Sequence, residues 1–523
     1  MKKCLTLLLA AGLVFSAVSS ASAIDFKAQG EWLVGFAGGQ GNFVDKTRTA
    51  ENGKKKADSS DRFTASQRVR LQLDAVASES LSGTVFFEIG DQNWGSGGTV
   101  GAGSGGAMGA DGVAVEVKNA YIDWMVPDTT LSFRMGIQAL ALPNVAGGSA
   151  VLDDDAAGVT FHMQFNENVG LTGMWARPLN DNYDVQDGDY SGNNKKSYLD
   201  NVDLFALTLP LTFDGIEITP WAMLGVIGQN AFRSGADNAT TDVTPYMTSN
   251  YMSDRWNHPG SFERTKNANT TAFWAGLPVK LTLWDPFNIE FDINYGYVAS
   301  QGRGSIKRSD GAGKTRFSTE RQGWLAKALV EYKMDWGTPG IFGWYASGDD
   351  DNPKNGSERM PSVSPSTNFT SFMGDGNLAW SSGGSLYDRN LSLAGTWGIG
   401  LQVADMSFVE DLKHTFRIAY WGGTNSPSMA KYAAHPWSWE SGNGGSYDDS
   451  FSADPELYLT TNDGLLEFNL VNSYQMYENF EINFELGYIV NFIDHDTWKK
   501  ANRTEGYDAQ DAWKAQLIFA YTF

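Results

Sequence analysis

Two runs of three consecutive aspartates, Asp153–Asp155 and Asp349–Asp351, are the first candidates for chemistry in the 523-residue sequence. Adjacent carboxylates repel one another, so each run favours water, a bound cation or facing arginines. Carboxylate oxygens are ligands for Ca²⁺ and Mg²⁺, but neither run comes with the spaced further ligands of a calcium loop. We therefore predict no metal site, and the sequence favours a solvated loop for Asp349–Asp351.

Other motifs resemble known sites but lack the context that those sites need. The stretch GAGSGG (101–106) satisfies G-x-G-x-x-G without a strand before it and a helix after it. The stretch DGDYSG (187–192) resembles the start of a calcium loop, but its twelfth position is Tyr198 instead of glutamate. The five histidines form no H-E-x-x-H, and G-x-S-x-G is absent. We predict a protein that is not an enzyme and uses no cofactor.

The N-terminal segment 1–23 has the three parts of a secretory signal peptide. Two lysines precede an apolar run that ends near Val18, and small residues lead to a cleavage site after Ala23. The run is short for a membrane-spanning helix. Cys4, the only cysteine, lies in the basic part and not at a lipoprotein cleavage site. We therefore expect an exported protein whose mature part has no thiol chemistry.

Charge and composition narrow the class of protein further. The formal net charge is −22, so a nucleic-acid partner is excluded, because phosphate contacts need a basic face. An acidic exported protein can instead attract cations, including those that bridge a lipopolysaccharide surface. No run of 18 apolar residues follows the N-terminal segment, which excludes a helical membrane protein. The 58 Gly, 30 Phe, 20 Tyr and 18 Trp suit a barrel with aromatic girdles and glycine-rich loops.

Apolar and polar residues alternate with a period of two along most of the chain, which is the signal for strands. In segment 66–77, Leu71 and Leu73 share one parity, and Arg70 and Asp74 share the other. About 18 such segments occur, each near the length of a transmembrane strand. The same alternation is clear in 26–36, 288–300, 411–421 and 481–490.

The connections between these segments alternate between short and long. Tight links such as SESLSG, VPDTT and WDPF separate long linkers rich in Gly, Asn, Asp and Ser. A soluble sandwich has no reason to keep all short turns at one end, whereas an outer-membrane barrel does. In lipid every backbone polar group must be paired, so the sheet must close. We predict an all-β fold: one transmembrane antiparallel β-barrel of about 16–18 strands over residues 24–523, with short periplasmic turns and long outer loops.

The parity of each strand assigns its two faces. The apolar set faces lipid or a neighbouring subunit, and the polar set faces a water-filled lumen, as in barrels of this size. The alternative for any inward base is a wall pair with acids such as Asp74, Glu88 or Asp123. The basic residues predicted to line the pore wall are Arg68, Arg70, Arg134, Lys280, Lys327 and Arg417.

Several segments resemble the trimeric general porins of bacterial outer membranes, and most closely the homotrimeric porins of sulfate-reducing bacteria. The resemblance rests on the order of four segments: GTVFFEIGDQNWG (83–95), VKNAYIDW (117–124), FRMGIQALALP (133–143) and the C-terminal LIFAYTF. The N-terminal third matches best, while the middle shares mainly the rhythm of strands and loops. The resemblance implies a homotrimer in outer-membrane lipid and lipopolysaccharide.

The same resemblance assigns roles to individual residues. In that family the third long loop, after the fifth strand, folds into the barrel and carries acids that face basic wall residues. The fifth strand is predicted to end near Gln138, so Asp153, Asp154 and Asp155 match the acidic part of this constriction loop. The PEFGG stretch of many enteric porins is absent. The terminal residues Leu517, Phe519, Tyr521 and Phe523, at two-residue spacing, resemble the signal that the barrel-assembly machinery reads.

These expectations combine into one functional hypothesis. The chain is expected to form a passive channel for small hydrophilic solutes and ions, filtered by pore size and by opposite charges that face each other across a constriction. A substrate-selective channel for sugars or anions is one alternative. A structural or adhesive surface barrel that conducts little is the other. The last strand, AWKAQLIFAYTF, is expected to pair with the strand that starts at Phe26 and so to close the sheet.

Overall fold

The computed structural model describes residues 24–40, 44–46, 48–49, 55–56, 62–95, 115–180, 201–228, 263–264, 269–300, 302–307, 314–367, 369–370, 393–431, 458–500, 507–509 and 511–523. The predicted signal peptide 1–23, the glycine motif 101–106 and the calcium-like stretch 187–192 lie outside the described residues. No helix in the described ranges is long and apolar enough to cross a membrane.

Eighteen antiparallel strands form one closed sheet, which confirms the predicted fold class. In chain order they are β1 (Asp25–Gln40), β2 (Arg62–Ser78), β3 (Leu81–Asn93), β4 (Val115–Met125), β5 (Leu131–Ala141), β6 (Asp153–Asn166), β7 (Val169–Leu179), β8 (Val202–Thr208 and Leu211–Phe213), β9 (Ile216–Ile218 and Trp221–Ile227), β10 (Thr270–Leu281), β11 (Phe287–Val298), β12 (Arg321–Tyr332), β13 (Thr338–Ala346), β14 (Thr396–Val409), β15 (Leu412–Gly423), β16 (Gly464–Tyr477), β17 (Phe480–Phe492) and β18 (Ala512–Thr522).

Strands β8 and β9 are each interrupted at a proline, Pro210 and Pro220. Proline has no backbone N–H, so it removes one hydrogen bond from the ladder. The two interruptions lie beside each other, and the Leu209 N–H donates to the Pro220 carbonyl at 2.9 Å. The sheet therefore stays continuous across both breaks.

The barrel closes where β18 pairs with β1. The register runs from Glu31 opposite Thr522 to Gln40 opposite Trp513. On its other side, β18 pairs with β17. Every strand of the sheet therefore has two neighbours and no edge is left open, as the alternating C-terminal sequence predicted.

The two ends of the barrel differ, as the linker lengths predicted. Connections of two to five residues join β2 to β3, β4 to β5 and each following pair at one end, here called the short-turn end. Connections of 11 to 49 residues join the strands at the other end, the long-loop end.

The outer surface carries an apolar band between two belts of exposed aromatic side chains. Aliphatic residues such as Leu207, Ile293 and Leu401 occupy the middle of their strands and are exposed. Exposed aromatic residues near the short-turn end include Trp124, Phe165, Phe213, Trp284, Trp336, Tyr477 and Tyr521. Those near the long-loop end include Phe63, Trp94, Trp324, Tyr345, Tyr488 and Trp513.

Two loop segments fold into the barrel and pack against each other. The first is the connection between β5 and β6, residues 142–152, here called the L3 segment. The second, residues 357–370 of the connection between β13 and β14, is here called the L7 segment. They join through a short antiparallel pairing of Gly148–Ser149 with Ser366–Thr367. The inward third loop was predicted, whereas the inward part of the seventh loop was not.

Candidate functional site

The L3 segment crosses the lumen and is held on the opposite wall by an ion pair. The backbone N–H groups of Val145 and Ala146 donate to the Asp292 carboxylate on β11, at 3.1 Å and 2.6 Å. Lys327 on β12 lies 3.7 Å from the same carboxylate and donates to the Gly148 carbonyl. Asp292 and Lys327 are each 1% exposed, so these charges are satisfied by each other and by the L3 backbone.

The L7 segment is fastened by side chains that bind its backbone. The Trp274 indole N–H on β10 donates to the Pro361 carbonyl at 2.9 Å. Arg321 on β12 donates to the carbonyls of Arg359 and Met360. The L7 segment also binds the L3 segment directly, because the Val363 N–H donates to the Val151 carbonyl at 2.8 Å.

An inward aromatic cluster adds apolar contact to the L7 segment. The ring of Phe369 stacks on Phe342 and Trp344 of β13, with centroids 5.2 Å and 5.5 Å apart. Trp344 also meets Trp421 of β15 edge to face at 4.4 Å. All four rings are buried. These aromatic residues therefore anchor a loop to the wall.

The structure places the acidic run Asp153–Asp155 in strand β6, which corrects the prediction that it lies on the loop. The three residues pair with Ala141, Leu140 and Ala139 of β5. Strand β5 runs to Ala141 instead of ending near Gln138, because both strands continue their ladder to the long-loop end. The acids therefore start the strand that follows the L3 segment.

The three acids also face different surroundings. Asp154 accepts a hydrogen bond from the Ser364 hydroxyl of the L7 segment at 2.8 Å. Asp155 has the outward parity of Val159, pairs with Lys118 of β4 and accepts a hydrogen bond from the Asn119 amide at 2.9 Å. Asp153 has the same parity as Asp155 and is exposed. In the described part of the chain, Asp154 is the member of the run whose side chain contacts an infolded segment, while Asp153 contacts the same residue through its backbone N–H, which donates to the Ser364 carbonyl at 2.9 Å.

Two of the three predicted wall bases on β2 and β5 form ion pairs within the wall. Arg70 on β2 contacts Glu88 of β3, with a Nε–Oε2 distance of 2.7 Å. Arg134 on β5 binds Asp123 of β4 through two hydrogen bonds, at 2.7 Å and 3.0 Å. Arg68 lies on β2 opposite Leu33 of β1. The wall pairing that the sequence left open therefore exists for Arg70 and Arg134.

The other three predicted wall bases lie on the far side of the lumen. Lys280 on β10 is 3.6 Å from Glu290 of β11. Lys327 holds the L3 segment, as described above. Arg417 on β15 is 9% exposed, and its Nε donates to the Gln402 side chain at 3.2 Å. The structure therefore separates the predicted set, because Arg70 and Arg134 lie on β2 and β5, and these three on β10 to β15.

The sequence patterns did not predict two charged pairs that the structure contains. Lys514 and Glu485, on neighbouring strands β18 and β17, form a buried pair at 2.7 Å. Arg177 and Asp203 form a pair on β7 and β8 with the outward parity of Trp175 and Phe205. Strand parity could have found the Lys514–Glu485 pair, since both residues lie opposite the apolar face of their strand.

The structure corrects the expectation that the second acidic run, Asp349–Asp351, is a solvated loop, because Asp349 is buried. Its carboxylate is 3% exposed and accepts hydrogen bonds from the Ser357 and Tyr458 hydroxyls, at 2.5 Å and 2.9 Å. Glu358 lies beside it and accepts a hydrogen bond from the Asp350 N–H at 3.1 Å. Burial, together with the charges of Asp349 and Asp350, raises the pKa of Glu358 to about 7. In the described ranges, no group of three or more acidic, histidine or cysteine side chains could hold a metal ion.

A lumen cavity of about 640 Å³ opens beneath the L3 segment, toward the short-turn end. Leu142 and Pro143 of the L3 segment lie on one side of it. The wall strands β4 to β8 supply both the Arg134–Asp123 pair and several hydroxyl groups. This is the described part of the lumen where a small solute could contact the protein.

The C-terminal residues of the predicted assembly signal lie along the seam of the barrel. Leu517, Phe519 and Tyr521 pair with β1 in register, and Phe519 contacts the Phe36 ring edge to face at 6.4 Å. Phe523 exchanges two backbone hydrogen bonds with Gly30, at 2.9 Å and 3.0 Å. The terminal residue is therefore part of the closed sheet.

The fold and site together define a closed antiparallel barrel with an apolar exterior and a polar lumen that two loops narrow. Among solved structures, the chain is similar to three proteins of Pseudomonas, each aligned over 95% of this chain and 98% of the other. They are Pseudomonas aeruginosa OpdK with vanillate (11% identity, TM-score 0.46), Pseudomonas aeruginosa OccK8, also named OprE (10%, 0.47), and a BenF-like porin from Pseudomonas fluorescens Pf-5 (11%, 0.46). The chain matches no protein-family model and no curated protein.

Proposed function

We propose that the protein is an outer-membrane porin, a water-filled channel through which small hydrophilic solutes and ions diffuse passively. The observation that carries this proposal is the closed 18-stranded sheet with an apolar band outside and charged side chains inside. Such an exterior suits lipid, and closure satisfies the backbone where no water is present. A barrel of this strand number is wide enough for a lumen that side chains alone do not fill.

The proposed orientation follows from the two ends. The short turns face the periplasm, and the long loops face the medium, where lipopolysaccharide surrounds them. A homotrimer, a signal peptide of residues 1–23 and delivery by the barrel-assembly machinery complete the proposal. Their support is the sequence resemblance to trimeric porins of sulfate-reducing bacteria, which is strongest in the N-terminal third.

Selectivity in this channel arises where the L3 and L7 segments narrow the lumen. Asp154 is the inward member of the acidic run, because it contacts the L7 segment. The wall bases Arg68, Arg70 and Arg134 lie on the side of β2 to β5. Facing charges of opposite sign bias the passage of ions in a narrow pore. Asp153 and Asp155 lie at the long-loop end of β6 on its outward parity, so we place them outside the constriction.

A substrate-selective channel is the second candidate, and one observation favours it. Two interlocked segments, L3 and L7, occupy the lumen, which leaves less open cross-section than one infolded loop would. Phe342 and Trp344 do not form an aromatic slide for sugars, because the Phe369 ring stacks on both of them. Selectivity would therefore rest on polar groups and pore size.

Single-channel recording in planar lipid bilayers tests the proposal. A porin gives stepwise, ohmic conductance that rises with salt concentration and persists without an added ligand. A substrate-selective channel gives small steps that a particular solute blocks at low concentration. The absence of conductance from a folded, heat-modifiable barrel would instead support a structural or adhesive surface protein.

A further inference from the structure

The cavity beneath the L3 segment has hydroxyl groups that the protein leaves unused. The side chains of Ser132, Thr208 and Thr219 line it. Within the described part of the chain, these three hydroxyls have no hydrogen-bond partner, whereas the wall hydroxyls of Thr84 and Thr160 are paired. Each can therefore donate to and accept from a solute or a water molecule.

Two of the three full charges that line the cavity, Asp123 and Arg134, neutralise each other, and the third, Glu79, lies exposed in the turn between β2 and β3. Asp123 and Arg134 are joined by two hydrogen bonds, and the guanidinium also lies 4.0 Å from the centre of the Tyr121 ring. The remaining polar groups are neutral: Thr160 donates to Gln138 at 3.1 Å, and a 3.0 Å hydrogen bond links His162 and Thr172. The wall strands of the cavity therefore carry no unpaired charge that selects for an ion.

The end of the same cavity nearer the L3 segment is apolar. Leu140, Leu142 and Pro143 come from the end of β5 and the L3 segment, while Met174 and Ala206 come from β7 and β8. A solute that fits must present several hydroxyl groups to one end of the cavity and C–H surface to the other. The volume of about 640 Å³ lies within the range of small-molecule sites.

We propose that this cavity is a binding site for an uncharged polyhydroxylated solute, such as a pyranose sugar, on its way through the pore. The inference rests on the proposed channel function and names the solute class of its lumen. A carboxylate would find Arg134 already paired, and an ammonium group would find Asp123 already paired. Either ion would have to break a two-bond ion pair, whereas a neutral solute needs only the unused hydroxyls.

Current block by three related sugars tests the site in single-channel recordings. Glucose, glucuronate and glucosamine share a ring and differ in charge, so their order of binding reports the preferred class. The variants are Thr208→Val and Thr219→Val, which remove the hydroxyl and nearly keep the shape. Thr271→Val is the matched control, because Thr271 lies exposed on the outward parity of β10. Heat-modifiable gel mobility shows that each variant is folded.

The expected result is block by glucose that is stronger than block by either charged sugar. Each of the Thr208 and Thr219 variants should weaken glucose binding by about two- to tenfold, because one neutral hydrogen bond is lost. The Thr271 control should conduct and bind glucose as the natural protein does.

Other outcomes overturn the inference in distinguishable ways. Normal conductance without block by glucose rejects the sugar site and leaves the channel standing. Equal or stronger binding of glucuronate or glucosamine rejects the solute class, and unchanged glucose binding in both valine variants rejects the location. Loss of conductance in the natural protein rejects the proposed function, and the inference falls with it.

Discussion

The Asp292 carboxylate organises the lumen because it receives three donors from two different parts of the chain. Two are backbone N–H groups of the L3 segment, and the third is the Lys327 ammonium. Burying either charge alone would cost several kcal/mol, so each is tolerated only with the other present. The position of the L3 segment therefore depends on a pair that belongs to the wall.

Replacing Lys327 with methionine tests that dependence. Without the ammonium, Asp292 remains buried with only two backbone donors, which should destabilise the local structure by about 3–5 kcal/mol. We expect a looser L3 segment, seen as increased open-channel current noise in bilayer recordings. The double variant Asp292→Asn with Lys327→Met buries no charge, so it should be less noisy than Lys327→Met alone. Equal current noise in the natural protein and in Lys327→Met would show that the Lys327–Asp292 pair does not hold the L3 segment in place.

Replacing Arg68 and Arg70 together with glutamine tests the selectivity role of the wall bases. The change removes two positive charges and leaves Glu88 without its partner Arg70. One charge about 4 Å from a permeating ion contributes about 1 kcal/mol in water, or about a fivefold change in a permeability ratio. The reversal potential in a salt gradient should therefore shift in the direction of cation preference, by an amount that corresponds to about a fivefold change in the cation-to-anion permeability ratio.

The control for this prediction is Arg177→Gln. Arg177 is also paired with an acid, Asp203, but it lies on the outward parity of Trp175. Its loss should leave the reversal potential as it is. A reversal potential that does not move in the Arg68 and Arg70 double variant would show that these residues do not set selectivity.

At the scale of elements, strands were predictable from the sequence because their signal is local. The alternation in 288–300 placed Glu290 and Asp292 inward and Phe291 and Ile293 outward, and the structure agrees. The short connections were predictable too, since proline and glycine turns fix them within a few residues.

The candidate site was only partly predictable, because it depends on contacts between distant segments. Val145 and Asp292 are 147 positions apart, and Ser362 and Ala150 are 212 apart. A backbone N–H carries no sequence signal, so no pattern reveals which carboxylate will bind it. The same reason explains the error at Asp153–Asp155, where ladder pairing with β5 outweighed the repulsion of adjacent acids.

The loop that carries the L7 segment is expected to respond to pH through Glu358. The pKa of this carboxyl is raised to about 7 by burial beside Asp349 and Asp350. An acid whose pKa is raised on folding stabilises the fold while it is protonated, and that contribution is lost as the pH rises from about 4.5 to 7. Amide hydrogen exchange in residues 347–360 should therefore be faster at pH 8 than at pH 6, after correction for the intrinsic rate.

Glu358→Gln provides the matched control for the pH response. Glutamine keeps one side-chain oxygen, which can accept one of the two hydrogen bonds that Asp350 and Asn355 donate to Glu358, and it has no proton to lose in this range. Its corrected exchange should be equally slow at both pH values. A pH response of unchanged size in this variant would assign the effect to another group.

At the scale of the whole molecule, closure of the barrel depends on a seam with little spare room. A Cβ atom on Gly30 would lie 2.5 Å from the Arg70 carbonyl oxygen and 2.6 Å from the Phe523 ring. Only glycine therefore lets β1 approach both β2 and the end of β18 at this point. The first and last strands are thus matched in shape as well as in hydrogen bonding.

Deleting Phe523 should impair formation of the closed barrel. The deletion removes the two backbone hydrogen bonds to Gly30 and the ring that stacks on Tyr521, with centroids 5.8 Å apart. The proposed recognition by the assembly machinery would be lost as well. We expect a several-fold lower yield of heat-modifiable barrel in the outer-membrane fraction. Phe523→Tyr keeps the ring and the backbone, so it should assemble normally.

To separate loss of the seam from loss of recognition, purified chains that lack Phe523 can be refolded in detergent, where no assembly machinery acts. Refolding at the natural yield, combined with poor yield in cells, would assign the defect to recognition, whereas poor yield in both assigns it to the seam. Normal yield of the deletion in cells would show that neither the seam nor recognition needs Phe523.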